Sequence, residues 1–181
     1  MGAYRAKDLL LWPNLVSFTR LPLAYAFVEH VRETSTALVI LAVSGFTDVL
    51  DGFLARRLGM ATPTGAVVDG VTDKIFALTV LVTLIARAQL SPLSALLLGT
   101  REFGELPLVV WWALHRERRR AKAEDPRANW LGKAVTVLQF ACVALVLSSN
   151  RFALVLIATT AVLGVGAAVS YWRRELADSR G

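Results

Sequence analysis

Cysteine is almost missing from these 181 residues: Cys142 stands alone inside an apolar run. No disulfide framework and no thiolate metal site is therefore encoded. Histidine is nearly as scarce. His30 and His115 fall at ends of apolar stretches that reach opposite membrane faces, so a shared imidazole site is not expected. There is no zinc-ligand spacing and no basic helix with interleaved aromatics, so the net charge of +6 is not read as a nucleic-acid surface. No repeat, low-complexity tract or separate soluble segment interrupts the chain, which reads as one domain over 1–181. The N-terminal Met-Gly lacks the Ser or Thr of a myristoylation signal, because Ala6 stands in that place. Ala24-Tyr25-Ala26 is similar to a signal-peptide cleavage site, but Arg20 interrupts the apolar region that would have to precede it.

What the chain has in abundance is apolar length. Hydrophobic residues make up 55% and charged residues 19%. The charges are gathered into short stretches between long apolar runs, and a bilayer-spanning helix needs about 20 mostly apolar residues. Six spans are predicted, at Leu15–Val31, Ala37–Leu54, Ala66–Ala86, Pro92–Leu114, Leu131–Leu147 and Phe152–Tyr171. A short amphipathic helix over Tyr4–Trp12 precedes them and is expected on the membrane surface. The expected fold is all-α, an integral membrane bundle of six helices. Lys and Arg alternate between heavily and lightly loaded loops. Arg5 and Lys7, then Arg56 and Arg57, then Arg116 to Arg127, then Arg173, Arg174 and Arg180 fall on one side; Arg32, Arg87 and Arg151 fall on the other. By the positive-inside rule both termini face the cytoplasm, and the basic loops lie beside anionic lipid head groups.

Several spans carry ionisable residues, which cost roughly 2.5–3.5 kcal/mol each at the bilayer centre and so face a cavity or one another. Asp48 and Asp51 end the second span, three apart and hence on one helical face, with Gly52 and Ala55 beside them. Gly65, Asp69 and Asp73 open the third span at intervals of four. The two spans run in opposite directions about a short turn marked by Gly59 and Pro63, so the four carboxylates are expected to meet near the cytoplasmic boundary. Four carboxylates that close cannot all ionise unless something positive sits among them. Oxygen ligands suit hard cations such as magnesium or manganese. Pairing of these acids with Arg56, Arg57 and Lys74 explains one or two of them, but not two small-residue stripes across a hairpin.

From Asp48 to Asp73 the sequence reads D-x2-D-G-x2-A-R-x8-G-x3-D-x3-D, eight fixed positions over 26 residues. It resembles the signature of the CDP-alcohol phosphotransferase family. Pro13-Asn14, Ser17 and Arg20 resemble the family's opening P-N-x-x-T-x-x-R, with Ser in place of Thr. The resemblance implies six transmembrane helices, a homodimer, a polar cavity open to the cytoplasm, a CDP-diacylglycerol donor and an alcohol acceptor. It also implies that Asp48, Asp51, Asp69 and Asp73 hold two divalent metals, Mg2+ or Mn2+, with Asp73 as general base. Gly52, Ala55, Arg56 and Gly65 would line the CDP pocket.

For the acceptor, Arg101 lies about nine residues into the fourth predicted span, ~14 Å along a helix. With Lys133 it is a candidate clamp for an acceptor phosphate, since Arg makes bidentate phosphate contacts. Alternatively Arg101 pairs with an acid of the cavity, and Lys133 snorkels to the interface. Arg101-Glu102-Phe103 and Gly132-Lys133-Ala134-Val135-Thr136-Val137-Leu138-Gln139 resemble motifs of bacterial phosphatidylglycerophosphate synthases, favouring glycerol 3-phosphate. Val135 replaces a second lysine there, and Gly70 replaces a proline common after the third Asp. Phosphatidylglycerol, giving cardiolipin, and inositol phosphate remain open as acceptors. A membrane cation transporter is the rival from another class; it leaves the Gly and Ala-Arg positions unexplained, and no inverted repeat supports it.

Overall fold

The computed structural model describes residues 11–60, 62–100 and 128–178, and all regular structure in them is helical. In chain order the helices are α1 (Trp12–Phe18), α2 (Arg20–His30), α3 (Thr34–Arg57), α4 (Pro63–Ala86), α5 (Pro92–Leu98), α6 (Ala128–Leu147) and α7 (Ala153–Asp178). The predicted surface helix lies outside the described residues but for its last two, and so do the latter part of the fourth predicted span and the Arg116–Arg127 loop. Two compact units divide the chain, residues 1–90 and 91–181.

The first unit holds α1 to α4. A single span is expected over Leu15–Val31, but two helices meet at Thr19 instead. Pro22 supplies the reason: it has no N–H for the Phe18 carbonyl, and its ring crowds that turn. The Thr19 amide accordingly bonds three residues back, to the Val16 carbonyl at 3.0 Å. Helix α3 ends in a Schellman turn, with Gly59 at φ +63° and the Met60 amide on the Ala55 carbonyl at 2.9 Å. Helix α4 then starts with Thr62 as N-cap, accepting from the Gly65 amide at 3.0 Å, and Pro63 at its first position. The same turn closes α4 with Ala88 at φ 54° and α6 with Ser149 at φ 50°, neither of which is a glycine.

Helices α1 and α2 each pack on both α3 and α4. The buried residues form three stripes of helical spacing. They are Asn14, Ser17, Arg20, Ala24, Phe27 and Val31 on α1 and α2; Ala37, Ile40, Leu41, Ser44 and Asp51 on α3; and Thr72, Phe76, Val80 and Leu84 on α4. Each stripe is polar at one end and apolar at the other, and the polar ends coincide. The outward faces are the reverse of a soluble bundle: Val39, Val43, Phe46, Val49 and Phe53 on α3, and Val71, Ile75, Leu78 and Val82 on α4, are exposed. A helix that is apolar on its outer face needs an apolar surrounding. Among the described residues one helical stretch, Thr34–Ala55, is long and apolar enough to cross a membrane. Helix α4 matches it in length but carries Asp69, Asp73 and Lys74.

In the second unit α7 packs on both α5 and α6. The Cys142 thiol and the Thr160 hydroxyl are 3.3 Å apart between α6 and α7. Gln139 on α6 donates through Nε2 to the Leu98 carbonyl at 2.8 Å, satisfying an acceptor at the end of α5.

Candidate active site

The polar ends of the three stripes meet around Arg20, the first residue of α2, whose side chain is fully buried. Its Nη2 lies 2.9 Å from Asp48 Oδ1 and 2.7 Å from Asp51 Oδ2, both on α3. Its Nη1 lies 2.8 Å from Asp69 Oδ1 on α4. Ser17 of α1 donates to Asp51 Oδ2 at 2.7 Å. One oxygen from each of the three aspartates lies within 4.8 Å of the others. Asp51 is sealed, its side chain 3% exposed, whereas those of Asp48 and Asp69 are 41% and 44% exposed and give the cluster an open side.

Three carboxylates against one guanidinium leave two negative charges in excess within the cluster when all are ionised. Asp51 Oδ1 is buried and makes no hydrogen bond. Such an oxygen costs roughly 1–3 kcal/mol of desolvation when left without a partner. An excess of two charges, an all-oxygen donor set and an orphaned buried oxygen fit a divalent cation.

The structure brings Asp48, Asp51 and Asp69 together. Asp73 is half-buried one turn further along α4 and stands outside this set of three. Gly52 and Ala55 follow Asp48 and Asp51 on α3, half-buried; Arg56 is on the last turn of the same helix. Gly65, in the first turn of α4, faces α1: a Cβ there would meet Asn14 Oδ1 at 2.7 Å and Thr62 Oγ1 at 3.2 Å. Lys133 lies near the start of α6, and Arg101 lies outside the described residues. Arg57 lies over the Phe53 ring at 5.5 Å, and Asp48, Asp51 and Asp69 each pair with Arg20.

Sequence reasoning missed this role of Arg20 and Ser17. The signal was present, because Ser17 and Arg20 are spaced three apart within a predicted span, and an arginine there needs partners as much as an aspartate does.

The glycines give a matched test. Gly65→Ala forces the Asn14 carboxamide or the Thr62 cap to shift and is expected to cost about 1–3 kcal/mol, together with activity. A Cβ at Gly70 meets nothing within 4 Å, so Gly70→Ala is expected to stabilise the helix by roughly 0.5–1 kcal/mol. Thermal unfolding of the two purified variants reads both effects; equal behaviour would contradict the packing described for Gly65.

An aspartate cluster fit for a divalent cation, at one end of helices with apolar outer faces, defines a candidate metal centre in an all-helical protein of membrane character. The CDP-alcohol phosphatidyltransferase family model matches residues 10–172. The chain belongs to that family, and is an enzyme of phosphatidyl transfer in phospholipid synthesis. It is 34% identical over 151 residues to a CMP-forming cardiolipin synthase of Streptomyces coelicolor, covering 78% of this chain and 67% of that one. It is 28% identical over 168 residues to a CDP-diacylglycerol–glycerol-3-phosphate 3-phosphatidyltransferase of Pseudomonas fluorescens, covering 88% and 84%. An enzyme of the same name from Salmonella choleraesuis is 31% identical over 138 residues, covering 75% and 69%. Family membership implies a CDP-activated donor and an alcohol acceptor.

Proposed function

We propose that this chain transfers the phosphatidyl group of CDP-diacylglycerol to glycerol 3-phosphate and releases CMP. The observation that carries the reading is the convergence of Asp48, Asp51 and Asp69, from two helices, at three positions of the motif that resembles the family's signature. The names of the Pseudomonas and Salmonella relatives support the acceptor, as do the motifs around Arg101 and Lys133.

In this reading Asp48, Asp51, Asp69 and Asp73 hold a two-metal Mg2+ or Mn2+ site. A divalent cation bound there neutralises charge on the pyrophosphate and on departing CMP. Gly52, Ala55, Arg56 and Gly65 form the pocket for the CDP moiety. Asp73 accepts the proton of the acceptor hydroxyl as its oxygen attacks the phosphorus attached to diacylglycerol. The bond from that phosphorus to the bridging oxygen breaks, and CMP leaves with the electron pair. Arg101 and Lys133 hold the acceptor's own phosphate. The chain forms one domain of six membrane spans, preceded by the surface helix. Its termini and site face the cytoplasm, membrane lipids surround it, and it works as a homodimer.

CMP release with glycerol 3-phosphate, inositol 1-phosphate, phosphatidylglycerol and free glycerol under one condition tests the acceptor. Glycerol 3-phosphate is expected to be used fastest, and free glycerol poorly, because it leaves both cations without a phosphate. Arg101→Ala is expected to lower kcat/KM for glycerol 3-phosphate about ten- to a hundredfold, the worth of a charge-assisted contact of roughly 1.5–3 kcal/mol. Arg101→Lys restores part of it, since a point charge cannot reproduce the fork. Faster use of phosphatidylglycerol would make the enzyme a cardiolipin synthase, the activity named for the Streptomyces relative. Faster use of a free alcohol would remove the clamp.

A further inference from the structure

We propose that Arg20 is a positioning residue for the cation site: it gathers Asp48, Asp51 and Asp69 by one oxygen each, turns other oxygens of the set toward the cation, and stays in place when the cation binds. The inference rests on the reading of the aspartate cluster as a divalent-cation site.

The bonding pattern at Asp51 carries it. Arg20 Nη2 and the Ser17 hydroxyl both converge on Oδ2, each at 2.7 Å, while Oδ1 of the same carboxylate is buried with no partner. Two donors on one oxygen and none on the other orient the carboxylate rather than merely neutralise it. Arg20 also ties the helices together. One nitrogen bridges the two α3 aspartates, and the other holds the α4 aspartate at 2.8 Å and reaches that residue's main-chain carbonyl at 3.4 Å. Without this fork, three carboxylates within 4.8 Å of one another repel and would have to be regathered by the arriving cation. Groups that orient metal ligands from behind are worth roughly ten- to a hundredfold in metal affinity.

The opposite view makes Arg20 a stand-in for the cation, expelled when it binds. The guanidinium is fully buried beneath the partly exposed Asp48 and Asp69, between helices that pack on both sides of it. Expulsion would strip a buried charge of its three partners. The exposed surface of the cluster belongs to Asp48 and Asp69, and the guanidinium contributes none of it.

Arg20→Lys is the informative variant, because it keeps the charge and removes the fork. Mn2+ binding to the purified protein, followed by electron paramagnetic resonance, and thermal unfolding with EDTA or Mn2+ give readouts independent of turnover. Arg20→Lys is expected to bind Mn2+ at least tenfold more weakly than wild type, and Mn2+ should raise its unfolding temperature by less. Ser17→Ala, a milder change that keeps the ion pairs, is expected to weaken Mn2+ severalfold and serves if the lysine variant does not fold. Affinity equal to or tighter than wild type in the variants overturns the proposal; tighter binding would mean that Arg20 competes for the carboxylates. If wild type binds no Mn2+, or if Asp69→Asn leaves binding unchanged, the metal assignment itself fails and takes the proposal with it.

Discussion

Asp69→Asn will leave a folded protein that has lost phosphatidyl transfer by about a thousandfold or more. A bound cation contributes several kcal/mol of charge stabilisation, and roughly 4 kcal/mol is a thousandfold in rate. The fold should persist because an Asn carbonyl can still accept from Arg20 Nη1, and Arg20 keeps its bonds to Asp48 and Asp51. EDTA should abolish the activity of the wild type equally, and added magnesium or manganese should restore it there but not in the variant. CMP release, run beside a thermal melt of each protein, makes the measurement. Turnover near that of wild type in the variant, or after thorough chelation, would remove the metal from the reaction.

The helices and the acidic pair of stripes were legible in the sequence because both follow from spacing. Apolar length predicts Ala66–Ala86, and the structure has Pro63–Ala86; it predicts Ala37–Leu54, and the helix runs Thr34–Arg57. Asp48 with Asp51, and Asp69 on the next helix, come together as the short turn at Gly59 requires. Less was legible where one residue acts on a distant one. Pro22 divides the first predicted span at Thr19, a local effect that hydropathy averages away. Arg20 finds Asp48 and Asp51 on α3 and Asp69 on α4 through packing that no spacing rule encodes. The turns at Ala88 and Ser149 carry no glycine to announce them.

Arg20 also explains how an acid-rich end can close an otherwise apolar bundle. The three buried stripes are apolar at their other ends, with Phe27, Ile40 and Val80 buried there, and the polar ends would repel if all were acidic. The guanidinium bonds to aspartates on both α3 and α4, so removing it would leave their carboxylates facing one another with no counter-charge between them. Stability and site geometry therefore depend on the same residue.

Asp73→Asn should separate proton transfer from cation binding. Asp73 is on the same face of α4 as Asp69, one turn on, half-buried, and outside the set that Arg20 gathers. In the proposed reaction it shares in the metal site and takes the acceptor proton, and only the second task needs a base. A positioned general base is worth roughly 10²–10⁴-fold. Asp73→Asn is therefore expected to lower kcat by about a hundredfold or more while KM for CDP-diacylglycerol changes little. Its Mn2+ affinity should fall by less than that of Asp69→Asn, because Asp48, Asp51 and Asp69 remain held by Arg20. Steady-state kinetics and Mn2+ titration of the two variants side by side decide the matter. A kcat close to wild type would assign the proton to another group. A loss of Mn2+ binding as complete as in Asp69→Asn would make Asp73 a ligand first, and the base would then have to be sought among the groups that approach the acceptor hydroxyl.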